Sequence, residues 1–166
     1  PMVKAPTDLM TDSAGLPSVR VGLLGLGVVG AGVYRALHER ADVYAKRSGR
    51  KIGVQRIAVR DRKRARTVEV GSVQLDDDPM AVATASDIDI VVEVMGGEDP
   101  ATACIRAALD AGKSVITANK EVMAKHGPDL LELAQARHVE LLYEASVGAG
   151  IPIIAPLKRD LQANEV

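Results

Sequence analysis

Residues 19–30 read VRVGLLGLGVVG, and the fold follows from how that stretch divides. Val19, Val21, Leu23 and Leu24 form an apolar run too brief for a helix and β-branched enough for a buried strand ending near Leu24. Gly25, Gly27 and Gly30 follow in the spacing G-x-G-x-x-G, and Val29, Val33, Ala36 and Leu37 then recur at helical intervals. The glycines therefore sit at a strand-to-helix turn. Gly25 permits the reversal, Gly27 leaves room for a pyrophosphate to approach the backbone, and Gly30 lets the helix lie close on the sheet. Together with the main chain of Leu26, Val28 and Val29, the turn offers N–H groups and a partial positive charge to phosphates. A ligand-free glycine turn is the competing reading. The buried strand before it and the amphipathic helix after it argue for the dinucleotide.

Strand and helix signals alternate outward from this turn. Residues 1–17 carry no apolar period and read as a flexible leader to a domain spanning residues 18–166. A polar, basic connection from Arg40 to Lys51 precedes a second strand, Ile52 to Val59, and Val68, Val70 and Val73 suit a short third one. Asp78-Pro79 is an N-cap and first-turn pair for a brief helix. Ile88 to Met95 is almost continuously apolar, as in a strand covered on both faces, and Gly96 and Gly97 end it.

Asp99-Pro100 then opens a helix with Cys104, Ala107, Ala108 and Ala111 on one side, closed by Gly112. Ser114 to Ala118 reads as a strand, Asn119 and Lys120 lead into a helix interrupted at Gly127-Pro128 and ending near Arg137, and Val139 to Glu144 as the last strand. The alternation requires right-handed crossovers and an α/β, Rossmann-type, doubly wound and mainly parallel sheet with helices on both faces. Ligands bind such sheets at the carboxyl ends of the strands. That rule gathers Gly25–Gly30, Arg60, Met95–Gly97, Lys120 and Glu144–Gly150 on one rim.

Composition narrows the functional classes. A net charge of −1 gives no general attraction to nucleic acid or an anionic membrane. One cysteine excludes an internal disulfide and a cysteine-based zinc site, and no run reaches membrane-spanning length, so a cytoplasmic setting is expected. Cys104 reads as a small core residue. His38, His126 and His138 lack metal-ligand spacing and read as solvated. From Arg60 to Arg66 the chain places five cations in seven residues at the end of the second strand, where this fold meets the adenosine ribose. Guanidinium groups suit a 2′-phosphate, so NADP is expected, whereas Asp61 could accept a ribose hydroxyl of NAD; a solvated charge run is the plainer alternative.

GLGVVG, VVEVMGG, VITANKEV and YEASVGAGIP, in this order and spacing, resemble the nucleotide-binding part of homoserine dehydrogenases over about residues 19–160. The resemblance implies reversible hydride transfer between NAD(P)(H) and the pair L-homoserine and L-aspartate 4-semialdehyde, in threonine, methionine and isoleucine biosynthesis. It implies a nicotinamide-side loop at Met95 and Gly96, and an active-site lysine near nicotinamide and substrate at Lys120. It also implies a monovalent cation, usually sodium, held mainly by backbone carbonyls at Glu144, Val147, Ala149 and Ile151. Carbonyl oxygens suit a hard cation of low charge. On its residues alone, Lys120 follows a strand at the rim, where an ammonium can donate to a carbonyl becoming an alkoxide. In the family the substrate-binding and dimer-forming region comes later, so no residue up to Val166 takes the acidic substrate-ligand or second-lysine roles. The expectation is a cofactor domain that turns over homoserine negligibly by itself, within an enzyme that is homodimeric when complete. Another amino-acid or sugar dehydrogenase, or a non-catalytic NADP-sensing module, are the alternative readings.

Overall fold

Val21, Gly22, Leu23 and Leu24 are all buried, which places the opening apolar run in the middle of a sheet. The computed structural model describes residues 15–63 and 67–159. In it β1 (Ser18–Leu24) lies between β2 (Lys51–Ala58) and β4 (Ile90–Glu93), and the six-stranded order is β3-β2-β1-β4-β5-β6. The outer strands are β3 (Gln74–Asp76), β5 (Ser114–Thr117) and β6 (Leu141–Leu142), and every pairing is parallel. All carboxyl ends therefore reach one rim, as the alternation of elements requires.

Neighbouring residues of a strand point to opposite faces, and both faces of the central strands are covered. One face packs on α3 (Pro79–Thr84), α4 (Ala101–Asp110) and α5 (Lys120–Ala136), burying Leu24, Val91, Ile105, Leu109, Val115 and Leu130. The other carries α1 (Val28–Glu39), with Leu23, Ile57 and Val92 packed against Tyr34. Farther along that second face, Ile116 and Leu142 are 38% and 49% exposed. Cys104 is fully buried in the first core, as its place on the apolar side of α4 predicts. Burial, with the charges of Asp78 and Glu93, pushes its thiol up to about 11, so it stays protonated.

Several local expectations give way to tertiary contacts. The connection after α1 contains a further helix, α2 (Ala41–Ser48), closed by Gly49 in the left-handed region. The short third strand is Gln74–Asp76, fixed by pairing with Arg56–Ala58, while Val68, Val70 and Val73 pack against the second core. Asp78 caps α3 through Met80 N–H as expected, but Asp99 does not cap α4. There the Glu98 carbonyl accepts from both the N–H and the hydroxyl of Thr102. Helix α5 runs unbroken through Pro128, because the proline lies on the exposed side and Gly127 on the buried side. The hydrogen bond lost to the proline ring thus falls where water can replace it. The last strand is only Leu141–Leu142, since Glu144 begins a short helix, α6 (Glu144–Val147). A final helix, α7, spans Ile154–Arg159. The leader expected at residues 1–17 lies, up to residue 14, outside the described residues, and Pro17 already accepts a hydrogen bond from Lys51 N–H.

The amino ends of the strands are held by charge. Asp89 accepts from the backbone N–H of Arg20 at 2.7 Å and from its guanidinium at 3.0 and 2.8 Å. Lys113 donates to the carbonyls of Ala85 and Ile88, both at 2.7 Å, and burial lowers its pKa. Burial opposes ionisation of Asp89, but its hydrogen bonds from Arg20 outweigh that and hold its carboxyl below the usual 3.8. A depressed carboxylate contributes stability that is present above its unfolded pKa and lost as pH falls through the folded one. Asp89→Asn should therefore cost about 1.5–3 kcal/mol at pH 7. Chemical denaturation at descending pH should show the gap from wild type closing below about pH 4.

Candidate functional site

The turn after β1 is shaped by close approach. Gly25 has φ +103°, and a β-carbon there would stand 2.9 Å from the carbonyl oxygen of Val94. A β-carbon on Gly30 would overlap the carbonyl oxygen of Gly25. Gly25 N–H donates to Ala58 O at 3.0 Å, tying the turn to the end of β2 as well. Gly27 is different. It is the N-cap of α1, and a β-carbon on it would meet nothing within 4 Å.

No side chain caps α1 and its first turn holds no acidic residue. Val28 and Val29 are 94% and 56% exposed beside this opening, while the Leu26 side chain turns into the second core. A helix N-terminus with its backbone donors uncovered has the electrostatics and the space for a phosphate group.

Arg60 stands exposed just beyond β2. Asp61, the residue expected to compete for a ribose, turns its carboxylate onto Lys63 N–H at 2.8 Å. Arg62 is drawn back to Asp77 at 2.9 Å and Asp76 at 3.4 Å. Arg64 and Arg66 lie outside the described residues.

Beyond β4 the chain passes Met95 to two glycines in the left-handed region, Gly96 (φ +75°) and Gly97 (φ +77°). This loop is anchored from below by Glu93, a fully buried carboxylate that accepts from Met95 N–H at 2.8 Å and from the Thr117 hydroxyl at 2.6 Å. Asn119 caps α5 by accepting from Val122 N–H at 3.2 Å and donates its amide to Gly97 O at 2.7 Å. Lys120 follows it, exposed, as the first residue of α5.

Next to Lys120 lies a cleft of about 460 Å³, lined by Met123, Leu131, Tyr143, Ser146 and Val147 among others. Ser146 fastens α6 to the end of β5 through Thr117 O at 2.9 Å. The outer flank of the loop carries one more link. Glu98 meets Lys125 at 2.5 Å and His126 at 2.7 Å, and these hydrogen bonds hold its carboxyl below the usual range. His126 is thus half-buried and engaged, not simply solvated, whereas His38 is exposed and stacks on Tyr34.

The Glu144 carboxylate accepts from the N–H groups of Ile153, Ile154 and Ala155, and so caps α7. Its carbonyl accepts from Gly148 N–H at 3.1 Å, and the Gly148 carbonyl from Ile151 N–H at 2.9 Å. Ala149 has φ +53°, and Val147 and Ile151 are 51% and 66% exposed. The Glu144 carboxylate is thus engaged in capping α7.

Part of the rim expected from the sequence is linked: Gly25 lies against Met95, Asn119 donates to Gly97 O, and Lys120 lines one cleft with Ser146 and Val147. Glu93, Thr117, Asn119 and Ser146 were not among the expected site residues. Glu93 and Thr117 are signalled only as polar residues ending the strands IVVE and SVIT, while Asn119 and Ser146 fall within the stretches VITANKEV and YEASVGAGIP without having been assigned a role.

Comparison with known proteins gives the family of this fold. Residues 25–144 match the family of the homoserine dehydrogenase NAD-binding domain. The homoserine dehydrogenase of Corynebacterium glutamicum is 41% identical over 149 residues, covering 90% of this chain and 33% of its own length. The crystal structure of a homoserine dehydrogenase from Thiobacillus denitrificans superposes with a TM-score of 0.81 at 43% identity, over 89% of this chain and 34% of that one. A hyperthermophilic archaeal homoserine dehydrogenase in complex with NADPH superposes with a TM-score of 0.65 at 26% identity, over 84% of this chain and 48% of that one. The chain spans about a third of the length of the curated relatives it matches. With its parallel sheet and glycine turn, it belongs to the homoserine dehydrogenase family, as the NAD-binding domain.

Proposed function

We propose that this domain binds NADP(H) and supplies Lys120 to the NAD(P)-dependent interconversion of L-homoserine and L-aspartate 4-semialdehyde. The observation that carries the reading is the open mouth of α1 at Gly27, joined through Met95–Gly97 and Asn119 to Lys120 on one rim. The residues fit a dinucleotide: β-carbons on Gly27 and Gly96 would point into open space, and the first turn of α1 brings no negative charge against a pyrophosphate. When bound, the nicotinamide group supplies or accepts the hydride. The backbone of Gly25–Gly30 holds the diphosphate, and Met95 and Gly96 border the nicotinamide end. The archaeal relative with NADPH supports the choice of cofactor class.

Arg60 is the group assigned to the 2′-phosphate, because Asp61 is turned onto Lys63 N–H and Arg62 onto Asp76 and Asp77. An exposed guanidinium at the end of β2 suits bidentate contact with that phosphate. Calorimetric titration should show tighter binding of NADPH than of NADH. Arg60→Ala should weaken NADPH about tenfold or more, in line with a charged hydrogen bond, and leave NADH unchanged. A clear preference of the wild type for NADH would reverse this assignment.

Lys120 acts at the substrate's carbonyl oxygen. Its ammonium donates a hydrogen bond to the semialdehyde oxygen as that oxygen gains negative charge. With the domain joined to the substrate region of the Corynebacterium glutamicum relative, Lys120→Ala should lower kcat by about 10²-fold or more. NADPH affinity should stay within about twofold, since the lysine acts on the transition state and not on the diphosphate. An unchanged kcat would remove Lys120 from the chemistry.

The main-chain oxygens of Glu144, Val147, Ala149 and Ile151 are assigned to a sodium ion. Neutral carbonyls fit a monovalent hard cation, and the Glu144 carbonyl keeps a second lone pair after accepting from Gly148 N–H. Thermal melts should rise in sodium chloride relative to choline chloride at equal ionic strength, reaching about 2.7 kcal/mol of stabilisation at a hundredfold excess over Kd. Equal melts in the two salts would refute the cation site.

A further inference from the structure

Resting on the nucleotide-binding reading, we infer that Asn119 is a positioning residue: it clamps the Gly96–Gly97 loop to the start of α5, so that the nicotinamide end of the cofactor and Lys120 are held in one fixed relation. The two ends of its amide do different work. The oxygen accepts from Val122 N–H and caps the helix, while the nitrogen crosses 22 residues of sequence to donate to Gly97 O at 2.7 Å. Aspartate or serine serves equally well as a cap, but neither supplies that second donor from this position.

The contact closes a ring. Glu93 accepts from Met95 N–H, the chain runs to Gly97, Gly97 O accepts from Asn119, Asn119 N–H donates to the Thr117 hydroxyl at 3.0 Å, and that hydroxyl donates back to Glu93. Glu93, Thr117 and Asn119 are all buried; the two links through the Thr117 hydroxyl are formed out of water, and those to Met95 and Gly97 are part-buried. The loop itself has little else to hold it. Two consecutive glycines carry no side chain to pack, and a β-carbon on Gly96 would touch nothing.

The other link between loop and α5, from Glu98 to Lys125 and His126, lies on the outer flank. Lys125 there is 51% exposed and its pairs are screened by solvent. The Glu98–His126 bond is part-buried like the inner one, but the inner link is made by the residue adjoining Lys120 and so bears directly on the loop's position relative to that lysine. Freed from Asn119, the glycine loop samples more conformations, and the ring end of a bound dinucleotide loses its preformed border while the diphosphate grip on α1 is untouched.

Two probes separate these effects on the chain as it stands: NADPH, and 2′-phospho-ADP-ribose, which lacks the nicotinamide. Asn119→Asp keeps the cap and sets a carboxylate oxygen against Gly97 O; Asn119→Ser keeps a shorter cap without adding charge. Both variants should melt within a few degrees of wild type. Both should bind NADPH about tenfold more weakly, lose much of the rise in NADPH fluorescence, and bind 2′-phospho-ADP-ribose within twofold of wild type. Equal losses for the two ligands in both variants, or no loss for either, would overturn the positioning role. Gly27→Ala serves as the control for the underlying reading, since it should weaken both ligands alike. A wild-type chain that binds neither, or a Gly27→Ala chain that binds both normally, would overturn the cofactor reading and the positioning role with it.

Discussion

The contact between Gly25 and Gly30 is the constraint on which the rim depends. A helix following β1 could start farther from the sheet with any residues, but it would then lie away from β4 and carry its N-terminus off the strand ends. Because the fifth residue after Gly25 sits against its carbonyl with no β-carbon between them, α1 is seated directly over Val94. That seat brings uncovered backbone donors to within one loop of Met95. The rest of the site is assembled by extending this closeness along the sheet, from β1 to β4 by strand pairing and from β4 to β5 by the buried carboxylate of Glu93.

The two ends of the sheet solve different problems. At the amino ends, charged side chains hold the chain: Arg20 pairs with Asp89, and Lys113 donates to two carbonyls. These groups fix where β4 and β5 enter. At the carboxyl ends the described interior is organised by neutral donors gathered on one carboxylate, and the cations, Arg60 and Lys120, stand outside it in solvent. The separation leaves the mouth of α1 free of competing carboxylates. That mouth therefore presents oriented backbone dipoles with no acidic side chain in its first turn.

The sequence is readable where a single residue type has a single physical reason. The glycine turn, the buried β4 run, the Asp78 cap and the burial of Cys104 are of this kind, and the parallel sheet follows from their alternation. Pro128 misleads because the rule for proline inside a helix is steric and local. Which side of the helix faces water is decided by packing against α4. The third strand shifted for a similar reason: Val68, Val70 and Val73 have the pattern of a strand, yet pairing with β2 selects Gln74–Asp76. Asn119 and Glu93 are illegible because their partners lie 22 and 24 residues away, and only the register of β4 against β5 brings them together. Lys120 stood out through the motif around it, since a lone lysine opening a helix has no signature of its own.

The position of β1 also governs how the chain comes into being. It is made before any of its partners, yet it sits between two of them, and the Arg20–Asp89 bridge spans 69 residues. At roughly 5–20 residues per second of synthesis, β1 waits roughly 3 to 14 seconds for Asp89 to be made. Until Ala58 is made, Val19 to Leu24 is a stretch of apolar, β-prone backbone with neither neighbour strand present, and from then until β4 is made its other edge stays unpaired. A parallel sheet of this order thus ties the burden on chaperones to a topological fact, and a slower ribosome would lengthen the exposure of the segment on which every later strand is built.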